Sequence, residues 1–391
     1  MIFDSLDVSY GDMWGSQQGT AHSDPMPRAV AARRHAAGTD YAVLLSARER
    51  PLALAEYWPR RMWRLYLFDD RSWRVQMIDL KQHGTGMLLA HRNTRWQFSG
   101  EQEHASWKWD VQETTTVSAD GQVEVRSEFA GPGASVPEGV PVRRFAAPLE
   151  SFLCPAPEFG EWQVFAPFLA QQGHEPAAAL VLSDVPVDEG AGPLRAAGIE
   201  QLFRPGVHDT PNGQAAVEPV DAGLLRITSG RLAVSDPGWV GEDPRTVAVP
   251  RGDFPVTLSL VRTPHATEVA AARVTFVDVP PRAWEMALRP DEDLGLLGGG
   301  QFYGVGVDTG TAAFLDATRT VDEDRLDEDV FVPLDSRFAV ELPGTRSGPN
   351  LIAFRAGRGD GAYPVWIGRT DDGQVGCVVV DFRLHPAAGG E

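Results

Sequence analysis

A carboxylate beside a small hydroxyl and a glycine, Asp308-Thr309-Gly310, is the residue combination in this chain best suited to chemistry. An aspartate on such a turn activates water when a second carboxylate shares its proton, because two like charges held close do not both ionise. The run continues through Thr311-Ala312-Ala313-Phe314-Leu315 to Asp316, and Asp360 and Asp381 complete the candidates, beside a glycine or at the end of an apolar run. Two functional readings are open. Asp308 with Asp360 or Asp381 would form a catalytic pair, and Asp308 with Asp316 would offer oxygen ligands to a hard divalent cation. The structural alternative is that Gly310 supplies a tight backbone and Asp308 caps nearby N–H groups.

A homodimeric aspartic-type site would also carry an apolar-apolar-glycine element after the loop, for which Trp366-Ile367-Gly368 is the candidate. The residues beyond it, Thr370-Asp371-Asp372-Gly373, read as a hairpin where that pattern needs a helix. The acidic run from Asp322 to Asp329 reads as a solvated loop, and it lacks the ligand spacing of a calcium-binding EF-hand. Gly298-Gly299-Gly300 does not match a phosphate loop, the nine histidines show no zinc spacing, and Cys154 and Cys377 stand far apart. No cofactor is expected. A divalent cation is the alternative.

The elements that must position these residues are mainly β (α+β). Residues 27–37 are Ala-rich and predict a short helix ended by Gly38. Segments 63–68, 73–78, 107–112 and 123–126 alternate apolar and polar side chains, with turn chemistry at Asp69-Asp70-Arg71-Ser72 and Asp120-Gly121. Residues 40–130 therefore read as an antiparallel β-meander packed on the helix. Seven of the eleven tryptophans lie within residues 1–109 and suit a sheet core, although aromatic strands also line ligand cavities. Prolines and glycines concentrated at 131–160 predict a linker between a domain at 1–130 and one at 161–391. In the second part, residues 161–172 predict a Pro-kinked helix, 194–203 another short helix, and 283–288 a brief turn or helix. Strands are expected at 224–227, 256–261, 272–277, 364–368 and 375–382.

With 43% hydrophobic and 23% charged residues, the composition suits a globular protein, and its length favours two domains. The longest apolar runs are far shorter than a membrane span, and the acidic N-terminus does not resemble a secretory signal. A cytoplasmic location without membrane contact is expected. The net charge of −19 is uneven: 17 basic against 19 acidic residues in 1–150 leave −2, so residues 151–391 carry −17. Such a half repels nucleic acid and suits a basic protein surface.

Several short motifs follow one another in the acidic half. They are Ser229-Gly230-Arg231-Leu232 with Asp236-Pro237, Val249-Pro250-Arg251-Gly252-Asp253-Phe254-Pro255-Val256, and Trp284-Glu285-Met286-Ala287. Then come Gly306-Val307-Asp308-Thr309-Gly310 with Phe314 and Asp316, Gly359-Asp360-Gly361 with Tyr363-Pro364, and Gly368 with Val380-Asp381-Phe382. In this order they resemble an uncharacterised bacterial family, domain of unknown function 4241, over residues 220–385. The resemblance implies a shared β-rich fold and brings no catalytic residues with it. The expectation is a non-enzymatic, immunity- or inhibitor-like module that binds a protein partner. The alternative is a hydrolase that uses Asp308 with a second carboxylate, either aspartic-type or metal-assisted.

Overall fold

Alternation with a period of two forces one face of each strand into the core, and in the first half of the chain it builds a continuous meander. A computed structural model describes residues 2–12, 23–60, 62–98, 109–129, 141–171, 175–187, 192–210, 213–241, 244–345 and 348–384. The chain divides into two compact units, residues 1–192 with 295–299, and residues 193–294 with 300–391.

Unit 1 opens with β1 (Ile2–Asp12), β2 (Ser23–Met26) and helix α1 (Arg28–Ala37). Gly38 ends the helix with φ of 72°, a left-handed conformation that glycine adopts without steric cost. The meander is β3 (Tyr41–Ala47), β4 (Arg50–Trp58), β5 (Met62–Phe68), β6 (Arg74–Gln82), β7 (Met87–Gln97), β8 (Val111–Val117) and β9 (Gln122–Phe129). Each strand pairs antiparallel with the next. The β5–β6 turn is closed by Asp69, whose carboxylate accepts from the amides of Arg71 and Trp73, both at 2.9 Å. Of the alternating stretch 107–112, residues 107–108 lie outside the described residues.

The segment expected to be a linker adds further strands. β10 (Val142–Ala146) extends the sheet beside β9, β11 (Leu153–Pro155) pairs with β7, and β12 (Glu175–Asp184) runs parallel to β1. The contact boundary thus falls at 192/193, later than composition suggests. Proline excludes a long central strand but is compatible with short edge strands, and Pro141, Pro148 and Pro155 all lie at element margins. Residues 131–140 lie outside the described residues. The kinked helix expected at 161–172 is a 3₁₀ turn (Trp162–Phe165) followed by α2 (Ala166–Ala170), with Pro167 in the first turn of α2.

Trp162, Phe165 and Leu169 pack on the inward rows of the sheet, among them Tyr10, Tyr41, Tyr57, Trp63 and Leu65, all buried. The Trp162 indole N–H donates to the Tyr10 hydroxyl at 3.1 Å, and that hydroxyl donates to Asp184 Oδ1 at 3.0 Å. Burial raises the Tyr10 phenol to about 12. Trp63 and Trp162 are therefore core residues.

Unit 2 contains β13 (Gly206–Thr210), β14 (Gly213–Ile227), β15 (Arg231–Ser235), β16 (Arg245–Ala248), β17 (Gly252–Arg262), β18 (Thr267–Thr275) and β19 (Ala283–Met286). It continues through β20 (Gly304–Val307), β21 (Thr311–Asp316), β22 (Ala339–Leu342), β23 (Leu351–Arg355), β24 (Gly361–Arg369) and β25 (Val375–Asp381). One sheet has the order β13-β14-β17-β18-β25-β24-β19, with β20 also on β24, and the other is β16-β15-β21-β23-β22. They share one core, in which the rings of Phe314 and Phe354 meet 5.0 Å apart with their planes tilted by 59°.

Three local expectations change here. Residues 283–286 form an edge strand on β24 instead of a turn or helix, since Trp284 and Met286 register with Gly368 and Trp366. Of 194–203, only Ile199–Phe203 is helical, as a 3₁₀ turn. The acidic run read as a loop is helical: a 3₁₀ turn (Glu323–Arg325), a π turn (Asp327–Phe331) and α3 (Val332–Leu334). Leu326, Val330 and Leu334, four residues apart, are all buried, and this apolar stripe overrides the charge of the exposed face.

Trp162→Ala is expected to lower the stability of unit 1 by about 3–5 kcal/mol, as for other large buried aromatics. Denaturant unfolding followed by circular dichroism would measure it, and a loss within experimental error of zero would contradict the packing described.

Candidate functional site

β15 and β21 run antiparallel with Leu232 opposite Asp316 and Ser235 opposite Ala313. Every residue of β21 is buried, so the aspartate that ends it is carried inside with its strand. Asp316 is fully buried, and both of its oxygens are occupied. Oδ2 accepts from the amides of Thr228 (2.6 Å) and Ser229 (2.7 Å) and from the Thr228 hydroxyl (3.2 Å). Oδ1 accepts from the Thr318 amide (2.8 Å) and hydroxyl (2.6 Å). Burial alone would push this carboxyl up. The donors from Thr318, Ser229 and Thr228 outweigh it and hold the group well below the usual carboxylate range.

The other end of the strand pair mirrors this arrangement. Asp236, the residue after β15, is likewise fully buried. Its Oδ2 accepts from the amides of Asp308 (2.8 Å) and Thr309 (2.9 Å). Its Oδ1 accepts from the Gly238 amide (2.8 Å), and the Thr309 hydroxyl lies 2.9 and 3.0 Å from the two oxygens. Each strand therefore ends in a buried aspartate that ties down the turn leading into its partner. Asp316 holds the 228–229 turn before β15, and Asp236 holds the 308–309 turn before β21.

The four predicted residues are distributed around this frame. Asp308 contributes its main-chain amide to Asp236, and the residue is exposed. Asp360 is also exposed, and its Oδ1 accepts from the Gly310 amide at 2.9 Å. Val307 is the register partner of Gly361 on β24, so Asp308 and Asp360 extend that pairing just beyond its end. Asp316 is separated from this turn by the length of β21, roughly 17 Å for an extended strand of that length. Asp308 and Asp316 therefore do not share a cation. Asp381, at the end of β25 in the other sheet, accepts from the Arg383 amide at 2.8 Å. Burial raises its carboxyl to about 6, opposed by that amide and by the Arg383 charge. Among the described residues, no group of three or more His, Cys, Asp or Glu side chains is placed to hold a metal ion. The Trp366-Ile367-Gly368 element lies within β24 and leads by way of the 370–373 turn into β25, not into a helix.

Asp236 carried no chemical expectation. Its Asp-Pro-Gly context is a capping signature, but the turn it holds lies 72 residues away, and nothing local indicates that pairing. On the surface of unit 2, the 322–329 segment is an ordered acidic ridge. Asp322, Glu323, Asp324, Asp327 and Glu328 are exposed above the buried Leu326 and Val330. A groove of about 480 Å³ adjoins it, lined by Arg319, Asp322, Arg325, Asp329, Glu341 and Pro343 among others. Arg325 pairs with Asp329 at 3.0 Å, and Val332 beside the ridge is 64% exposed.

Residues 225–380 match the family described as protein of unknown function (DUF4241). The matched segment contains both buried aspartates, the two turns they hold, and Asp308 and Asp360. Asp381 lies one residue beyond it, and residues 1–192 lie outside it. No curated protein and no solved structure matches the chain.

Both oxygens of Asp316 face donors only, so Asp316→Asn fails where an isostere would ordinarily be tolerated, because its amide N–H₂ meets other N–H groups. Asp316→Asn and Asp316→Ala are each expected to cost about 3 kcal/mol or more in urea unfolding at pH 7. Because the folded carboxyl titrates below its unfolded value near 4, its contribution is complete above pH ~4 and is lost as acid protonates the folded state. The wild type should lose stability below pH ~4 more steeply than Asp316→Ala, and parallel pH profiles would contradict this role. Asp381 has the opposite sign. With a folded value of about 6, its ionised form opposes folding above pH 6, and the opposition fades as pH falls toward 4. Asp381→Asn should therefore stabilise the protein at pH 7–8 and have little effect at pH 4, as read from unfolding midpoints at both values.

Proposed function

We propose that this protein acts by binding another protein and not by catalysis, as an immunity or inhibitor protein in a bacterial cytoplasm would. Unit 2 presents the acidic surface, and the ridge at 322–329 is its centre. The observation that carries this reading is the ordered placement of the ridge. Residues 322–329 hold six carboxylates and one arginine, Arg325. The buried Leu326, Val330 and Leu334 fix their backbone, so a partner meets a preformed charged face. An exposed apolar residue, Val332, and a groove stand beside the charges, as expected of an interface in which charge steers and apolar contact anchors. The preferred partner has a basic surface.

A hydrolase reading rests on one observation, the placement of Asp308 and Asp360 next to each other beyond the β20–β24 pairing. Both are exposed, so water screens them from each other, and a shared proton gains little there. Binding is therefore the reading advanced.

The full chain, used as bait in a native host lysate, is expected to retain a basic partner in stoichiometric amount. Asp308→Ala should retain it equally. Combined charge reversal at Glu323, Asp327 and Glu328 should weaken it at least tenfold, and the wild-type complex should weaken with added salt. Absence of any complex at micromolar concentration, or a complex indifferent to the ridge, would defeat the proposal. Loss of the partner with Asp308→Ala alone would favour chemistry at that turn.

A further inference from the structure

The inward face of β6, β7 and β8 changes character along its length. At one end it carries Leu80 and Leu88, fully buried in the core of unit 1. At the other, the same face carries Gln76, Asn93, Arg95, Glu113 and Thr115. Their registers align them in two rows across the strands, Gln76–Arg95–Glu113 and Ile78–Asn93–Thr115. Residues directly opposite on neighbouring strands share a face. These groups share the face that carries the core leucines, with Gln76 fully buried, Asn93, Glu113 and Thr115 half-buried, and Arg95 exposed at the open end.

The layer that covers this face leaves a cleft of about 510 Å³ above them, within the size range of small-molecule sites. Its opposite wall is apolar, with Phe152, Val164 and Phe168. The polar floor is held in place by a hydrogen-bond network. Gln76, fully buried, donates from Nε2 to Asn93 Oδ1 (2.9 Å) and to Gln171 Oε1 (3.4 Å). Arg95 donates to the same Gln171 oxygen at 3.0 Å. Glu113, directly opposite Arg95, has a long contact with Arg143 at 3.8 Å. The two opposite charges are thus neighbours on one face, yet each is engaged elsewhere.

We propose that this cleft binds a small zwitterion with an apolar side chain, of the α-amino acid or dipeptide class. Arg95 takes the carboxylate, since guanidinium matches it in a bidentate fork, and Glu113 takes the ammonium. Cross-strand neighbours lie about 4.5–5.5 Å apart at Cα, which suits two charges borne on one carbon or across one peptide unit. The apolar wall receives the side chain, and the Asn93 amide serves the remaining polar atoms. This site is in unit 1 and is independent of the function proposed for unit 2.

Isothermal titration of the full chain with L-leucine and with L-leucyl-L-leucine tests it, with N-acetyl-L-leucinamide as the uncharged counterpart. Saturable binding of at least one zwitterion is expected, with Kd at or below about 1 mM. The uncharged counterpart should bind at least tenfold more weakly. Arg95→Met and Glu113→Gln should each weaken the zwitterion at least tenfold while retaining the wild-type melting temperature. The comparison of ligands on the unmodified chain keeps the test decisive if a variant unfolds. Binding of neither zwitterion overturns the proposal, as does equal binding of the uncharged compound or wild-type affinity in both variants.

Discussion

A carboxylate taken out of water must find hydrogen-bond donors or give up its charge, and the five-stranded sheet of unit 2 is organised around two that find donors. Asp236 and Asp316 are fully buried, and each is met by main-chain amides and by threonine hydroxyls, one at Asp236 and two at Asp316. A charged hydrogen bond contributes roughly 1.5–3 kcal/mol, and a buried charge left without donors costs more than that. Neither turn can therefore move far without exposing its aspartate to an apolar core. Because each aspartate ends the strand opposite the turn it secures, the β15–β21 pair is closed at both ends. That closure fixes the two turns, at 228–229 and 308–309, to the ends of the β15–β21 pair.

This arrangement gives the Asp308-Thr309-Gly310 run a structural role at one end of the β15–β21 pair. Asp-Thr-Gly is a sound signal for a tight turn with exposed amides, and the turn forms as its chemistry requires. Its amides face inward to Asp236, and its own carboxylate group belongs to an exposed residue. Asp360 supports the same turn through Gly310. The matched family segment thus encloses a frame whose acidic residues satisfy backbone donors. The binding role proposed for unit 2 lies on a different part of its surface, the ridge fixed by Leu326, Val330 and Leu334.

Much of the fold was legible because it is written in local patterns. The period-two alternation in Trp63–Phe68 and Trp73–Ile78 gave neighbouring strands, and Asp69 and Asp371-Asp372-Gly373 gave the turns. Gly38 marked the end of α1. What was not legible depends on contacts distant in sequence. The Asp236–Asp308 pairing spans 72 residues, so the role of Asp236 leaves no periodicity to read. The strands at 142–146 and 153–155 were hidden by prolines that edge positions accommodate. In 322–329 the charge outnumbers the apolar residues, and only the four-residue spacing of Leu326, Val330 and Leu334 betrays a helical segment. The polar row on the inward face of unit 1 was also unreadable, because which face of β7 turns inward is settled by register with β6.

Amide hydrogen exchange tests the reciprocal closure most directly. The amides of Thr228, Ser229, Asp308 and Thr309 are in turns, where exchange is ordinarily fast, but here they donate to buried carboxylates. They are predicted to exchange as slowly as the central amides of β21, through opening of the whole sheet, and to become fast in Asp316→Ala for the first pair and Asp236→Ala for the second. Fast exchange of these four amides in the wild type would contradict the account.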